Sequence, residues 1–136
     1  MPTMVLTSEY LSISGNDLSA FTRKCEVAVE VEEKDVTTYS SLGWKVVIGG
    51  LKSGSLAIEW ITDFAAGQLD AIMWPLFGTV VPFEVRPTQA VVGTSNPKWT
   101  GSCLVKELAP ISGSIGDEAT QGVTFPTSGA VTRATS

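Results

Sequence analysis

From residue 24 to residue 32 apolar positions alternate with positions that are charged except for Ala28. Cys25, Val27, Val29 and Val31 fall on one side, and Glu26, Ala28, Glu30 and Glu32 on the other. A period of two sends successive side chains to opposite faces, so this segment predicts a strand with one apolar and one acidic face. Residues 55–63 alternate less cleanly, with Leu56, Ile58 and Trp60 opposite Ala57, Glu59 and Ile61, and predict a largely buried strand carrying one acid. Residues 79–86 set Val81, Phe83 and Val85 on one side, and Pro82, which cannot donate to a ladder, places this strand at a sheet edge or a bulge. Residues 100–108 and 121–127 add two more strands, and glycine or proline at short intervals supplies the turns between them.

One segment leaves the period of two. Leu69, Ile72, Met73 and Leu76 recur at helical spacing, which predicts a three-turn helix over residues 63–77 with Asp63 as its N-cap and Pro75 near its end. Residues 34–50 hold no sustained period, yet carry Tyr39, Trp44, Val46, Val47 and Ile48. A long connection with aromatic and β-branched residues reads as a docking arm. The β propensity of residues 44–48 supports a plain strand equally well. Of the four tryptophans, Trp60 and Trp74 have apolar neighbours and are expected in the core, whereas Trp44 and Trp99 fall near loops.

The chain has 136 residues, enough for one domain. Charged residues make up 17 % of it, against about 25 % for an average soluble domain, and mean hydropathy is +0.22. Its most apolar stretch, residues 71–83, is broken by Pro75, Gly78 and Pro82 and is too short to span a membrane as a helix. Low charge without such a span predicts a surface covered by partner subunits. The first seven residues lack a basic segment followed by an apolar run, so no export signal is expected, and a cytoplasmic origin is. Net charge is −5 and the longest basic cluster is Arg23-Lys24, which disfavours tight nucleic-acid binding.

The absence of histidine excludes Ser-His-Asp and Cys-His nucleophiles and His-ligated zinc. Cys25 and Cys103 stand far apart and are expected as reduced core residues, with a single disulfide as the alternative. Residues 50–54 (GLKSG) and 113–118 (GSIGDE) resemble phosphate loops but lack GK[ST], so both read as turns. Glu26, Glu30 and Glu32 form a row at two-residue steps with no sign of a cleft, and Asp117-Glu118 lacks EF-hand spacing. No catalytic set, cofactor site or metal site emerges, and the chain is not expected to be an enzyme.

The segment GLKSGSLAIEWITDFAAGQLDAIMWPLFGTVVPFEVRP, followed by TSNPKWTGSCLVKELAPISGSIGDEATQGVTFPTSGAVTR, resembles the major tail tube proteins of long-tailed (siphovirus-type) bacteriophages, in particular actinobacteriophages. The most specific pieces are the strand-helix unit 55–76, the Asn96-Pro97 turn and the closing 124–129. The resemblance implies a mainly β fold, an antiparallel β-sandwich or barrel of two sheets with one flanking helix, without the added immunoglobulin-like domain of some relatives. It implies hexameric rings stacked into a virion tail tube, assembled in the host cytoplasm. Partners would be copies of the chain, a tape-measure protein, tail-tip and tail-terminator proteins, and double-stranded DNA in transit without tight binding. Residues 34–50 would be the inter-ring loop, with residues 1–7 and 127–136 as terminal arms. Glu26, Glu30 and Glu32, and next Glu59, become candidates for the lumen wall, with an outward, solubilising acidic face as the competing reading. A capsid decoration or head-tail joining protein, or a tail-fibre carbohydrate-binding module using Trp44 and Trp99, would also fit a small β-rich chain.

Overall fold

The computed structural model describes residues 5–136, so Met1 to Met4 of the expected N-terminal arm lie outside the described residues. Two antiparallel sheets enclose one core. The first holds β1 (Tyr10–Ile13), β2 (Asn16–Asp17), β5 (Val80–Arg86), β6 (Lys98–Leu104) and β8 (Thr132–Ala134) in the order β2-β1-β5-β6-β8. The second holds β3 (Thr22–Asp35), β4 (Val47–Ile61) and β7 (Thr120–Pro126) in the order β3-β4-β7. A short helix, α1 (Leu69–Met73), continues into a 3-10 turn, Trp74–Leu76, between β4 and β5.

The inward residues are those the alternation selects. Val81, Phe83 and Val85 of β5 and Leu11 and Ile13 of β1 meet Leu56, Ile58 and Trp60 of β4 and Val123 and Phe125 of β7. Trp60 is fully buried, 6.2 Å from Phe125 between ring centroids, and its indole N–H donates to Thr22 Oγ1 at 3.0 Å, so its one polar atom is satisfied. Cys103 is buried and Cys25 half-buried, both as free thiols. Burial pushes the Cys103 thiol up to about 11; burial, with the Glu9 carboxylate beside it, raises Cys25 further.

Several expectations are corrected. The helix is shorter than residues 63–77, because Gly67 sits at φ +77 and breaks the run, leaving Gln68 at the N-cap. Asp63 does not cap it; its carboxylate accepts the Ala65 N–H at 2.9 Å in the turn before. The helical face is right, with Leu69 and Met73 buried, but Trp74 lies outside the core at 58 % exposure, stacked on Phe77 at 5.8 Å. Pro82 stands in an internal strand, yet its carbonyl accepts from Ser14 N at 2.7 Å. The nitrogen and oxygen of a strand residue point the same way, so its missing donor faces the turn where β1 has already ended. Residues 105–108 leave the sheet. Residues 132–134, expected within a C-terminal arm, pair with Lys98–Thr100 of β6.

Residues 34–50 divide between the two readings: Lys34 and Asp35 end β3, Val47 to Gly50 belong to β4, as the strand alternative expects for Val47 and Ile48, and the connection is shorter than residues 34–50. β3 and β4 pair from Thr22 to Asp35 as one hairpin, and only residues 36–46 lie between them. The ladder slips between Val31 and Glu33, where residues 49–52 of β4 hold one extra residue, a β-bulge that breaks the alternation.

Candidate functional site

The hairpin outruns its own sheet. β7 pairs with β4 only from Ser55 to Ile61, so residues 47–54 of β4 and the facing part of β3 project about 25 Å beyond it at roughly 3.3 Å per residue. The apolar row of β3 runs off the sandwich with them: Cys25 and Val27 pack against the core, while Val29 and Val31 are exposed. At the tip a 3-10 turn, Tyr39–Ser41, is followed by Leu42 and Gly43, both at positive φ. Tyr39 is 101 % and Trp44 78 % exposed, and Val46, Val47 and Ile48 are exposed along the arm. Residues named as an inter-ring loop thus share one projecting ribbon, anchored by Val36 N–H to Val46 O at 2.9 Å and by Asp35. The Asp35 carboxylate accepts from Thr37 N at 2.9 Å, and hydrogen bonding to Thr37 holds its carboxyl below the usual carboxylate range.

Register places Glu26, Glu30, Glu32 and Glu59 on the face of the three-stranded sheet turned away from the core. Directly opposed residues share a face, and Glu26 opposes Ala57, Glu30 opposes Ser53 and Glu59 opposes Lys24, while the core residues Leu56 and Ile58 oppose Val27 and Cys25. Beyond the bulge Glu32 keeps to the same side, paired with Lys34. Charge on this face is lower than the row of acids suggests. Arg23 bridges Glu59 at 3.3 Å and Glu118 at 2.8 Å, and Lys24 stands nearby. A backbone hydrogen bond, with help from Arg23, holds the Glu118 carboxyl below its usual range. Glu26 and Glu30 have no ion-pair partner among the described residues.

The two edges of this sheet differ. Along the free edge of β7, residues 107–112 form a cover: Glu107 accepts from Thr124 N at 2.9 Å, the buried Gln121 accepts from Ala109 N at 3.1 Å, and Ser112 O accepts from Thr120 N at 3.2 Å. β3 from Arg23 to Asp35 has no backbone partner on its outer side among the described residues. An open edge of that length templates pairing with another chain. The open edge is not legible in the sequence, because edge position depends on sheet order. Asn96, named above for its turn with Pro97, has a buried side chain that organises the β5–β6 connection. Asn96 Nδ2 donates to Ala90 O at 2.9 Å and its Oδ1 accepts from Thr88 N at 3.1 Å. Trp44 and Trp99 do not form one platform. Trp99 is half-buried in β6 with the Arg133 guanidinium 5.8 Å from its ring centroid, facing a groove it shares with Val27 and Val29.

Two solved assemblies contain chains of this architecture. A chain from the virion of a native gene transfer agent particle superposes with a TM-score of 0.71 at 22 % identity, covering 91 % of this chain and 95 % of that one. A chain from the tail of an empty gene transfer agent particle, refined helically with C6 symmetry, superposes with a TM-score of 0.69 at 21 % identity, covering 92 % of each chain. The fold is common to all three. No protein-family model and no curated protein matches this sequence. Among the described residues no cluster of three or more His, Cys, Asp or Glu could hold a metal ion, and no helix is long and apolar enough to cross a membrane.

Proposed function

We propose that this chain is the repeating subunit of a phage-type tail tube, with six copies closing each ring and rings stacking into a conduit for double-stranded DNA. The observation that carries the reading is the fold shared, over more than nine-tenths of both chains, with a chain of a tail refined with C6 symmetry. Two features of this molecule support it. The open β3 edge needs a strand from another copy, and ring closure removes such edges altogether. The projecting apolar hairpin needs a surface outside its own domain. Tape-measure, tail-tip and tail-terminator proteins would bound the tube in the virion. Electron micrographs of the concentrated, purified protein are expected to show tubes of uniform bore. A strict monomer at all concentrations, a closed trimer or a ring that never stacks would contradict the reading, the last two favouring a decoration or joining protein.

In this tube the outer face of the β3-β4-β7 sheet lines the bore. A wall that grips phosphates would retain DNA, because each basic contact releases counterions from the duplex, whereas unpaired carboxylates repel it over about a Debye length of 8–10 Å. Glu26 and Glu30 carry that role here, since Arg23 and Lys34 offset Glu59 and Glu32. Both are exposed, so Glu26→Lys with Glu30→Lys is expected to change stability by only about 0.5 kcal/mol. Tubes should still assemble, and particles carrying the double substitution should release DNA more slowly in an ejection assay. An unchanged release rate would place these acids on the outside of the tube.

A further inference from the structure

The three-stranded sheet carries exposed apolar loops at both of its ends. At one end is the hairpin tip with Tyr39, Leu42 and Trp44. At the other is the loop before β7, where Ile111 is 89 % and Ile115 105 % exposed. That this loop lies at the base of the hairpin follows from its bonds: Ser112 O accepts from the first residue of β7, Thr120, which opposes Ile61 at the end of β4, and Glu118 binds Arg23 at the start of β3. The ends also differ in charge. Lys45 is the one charged residue among residues 36–46, giving +1, while Lys106 against Glu107, Asp117 and Glu118 leaves residues 105–119 at −2. Lys45 reaches Glu33 at 3.1 Å, but that pair is solvent-exposed and of a kind worth at most about 1 kcal/mol, so the ammonium remains available to a second carboxylate.

We propose that the hairpin tip of one copy docks on the Ile111–Ile115 loop of a copy in the next ring, apolar side chain against apolar side chain, with Lys45 facing Asp117 across the contact. This rests on the tube reading above and names the acceptor it lacks. Two different patches at opposite ends of the same strands make a heterologous, head-to-tail contact. Such a contact continues from copy to copy into an open stack wherever its rotation does not close a ring. It hides both sets of exposed apolar side chains at once.

The test is a cross-link in assembled protein. Ser40→Cys with Ser114→Cys places one thiol beside each patch and leaves every apolar contact intact; both serines are exposed. The native thiols are buried or half-buried and raised in pKa, so they should stay silent toward a short bismaleimide at neutral pH. The double variant is expected to give a denaturing-gel ladder running well beyond six chains, with no ladder from either single variant. Tubes without a ladder, or a ladder that stops at six, would overturn the proposal while leaving the tube reading standing. Failure of the unsubstituted protein to form tubes would strike the tube reading itself. As a second readout, Lys45→Glu is expected to lower tube yield and Asp117→Lys to restore it in the same chain; no restoration would count against the contact.

Discussion

Replacing residues 37–45 by Asn-Gly is expected to leave the domain folded and to abolish tube formation. Val36 N–H donates to Val46 O at 2.9 Å, and Val46 N–H, which donates to Thr37 Oγ1 at 2.8 Å, is freed by the deletion to close a two-residue type I′ turn on Val36 O, so the shortened hairpin keeps its strands and register. Nothing in the core is touched: Tyr39, Leu42 and Trp44 are all exposed. Stability should therefore move by about 0.5 kcal/mol, a shift of a few degrees at most in Tm. Assembly should respond very differently. A large apolar side chain contributes roughly 1.5–3 kcal/mol when fully buried, so losing three from every ring-to-ring contact removes on the order of 5 kcal/mol or more per subunit, above a thousandfold in each contact. Thermal unfolding by circular dichroism and negative-stain micrographs of the same sample separate the two effects. Normal tubes from the shortened chain would show that the hairpin is not an assembly arm.

Trp60→Ala should have the opposite signature, a chain that loses stability wherever it is measured. Trp60 sits fully buried between the sheets, against Phe125 and bonded through its indole N–H to Thr22 Oγ1. Truncating it opens a cavity the size of most of an indole and strands the Thr22 hydroxyl, although that group keeps its bond to Leu18 O at 2.9 Å. Buried aromatic-to-alanine changes cost about 3–5 kcal/mol, a large share of the 5–15 kcal/mol that holds a domain together. Urea unfolding should show a lower midpoint by that amount. Trp74→Ala, which removes an exposed ring stacked on Phe77, is the control and should cost less than about 1 kcal/mol.

The contrast between these tryptophans shows what one-dimensional pattern can resolve. Both have apolar neighbours in sequence, but Trp60 shares the inward period of Leu56 and Ile58, whereas Trp74 follows Met73 by about 100° around a helix and so turns outward. Alternation located β3, β5 and β7 because each is half-buried with one apolar face. It lost the outer part of β4, since the extra residue among 49–52 resets the phase and the arm beyond it packs against nothing in its own chain. Short strands such as β2 and β8 present too few positions for any period, and their places come from pairing with β1 and β6. The carboxylates were legible as a row on one face. Their partial neutralisation was legible only for Glu32, which Lys34 follows at an i, i+2 step on the same face; Arg23 reaches Glu59 and Glu118 across strands, which no spacing shows.

The low charge and surplus apolar surface of the sequence become localised in the fold, at the hairpin, the β3 edge and the Ile111–Ile115 loop. Helical reconstruction by cryo-electron microscopy of assemblies formed by the full chain tests directly whether copies of the chain cover those places. Stacked six-membered rings are expected, with the β3 edge paired with a neighbour in the ring, Glu26 and Glu30 on the bore and the hairpin tip seated on the next ring. Closed trimers, single unstacked rings, or stacked rings with the β3 edge and hairpin tip both facing solvent would contradict that expectation.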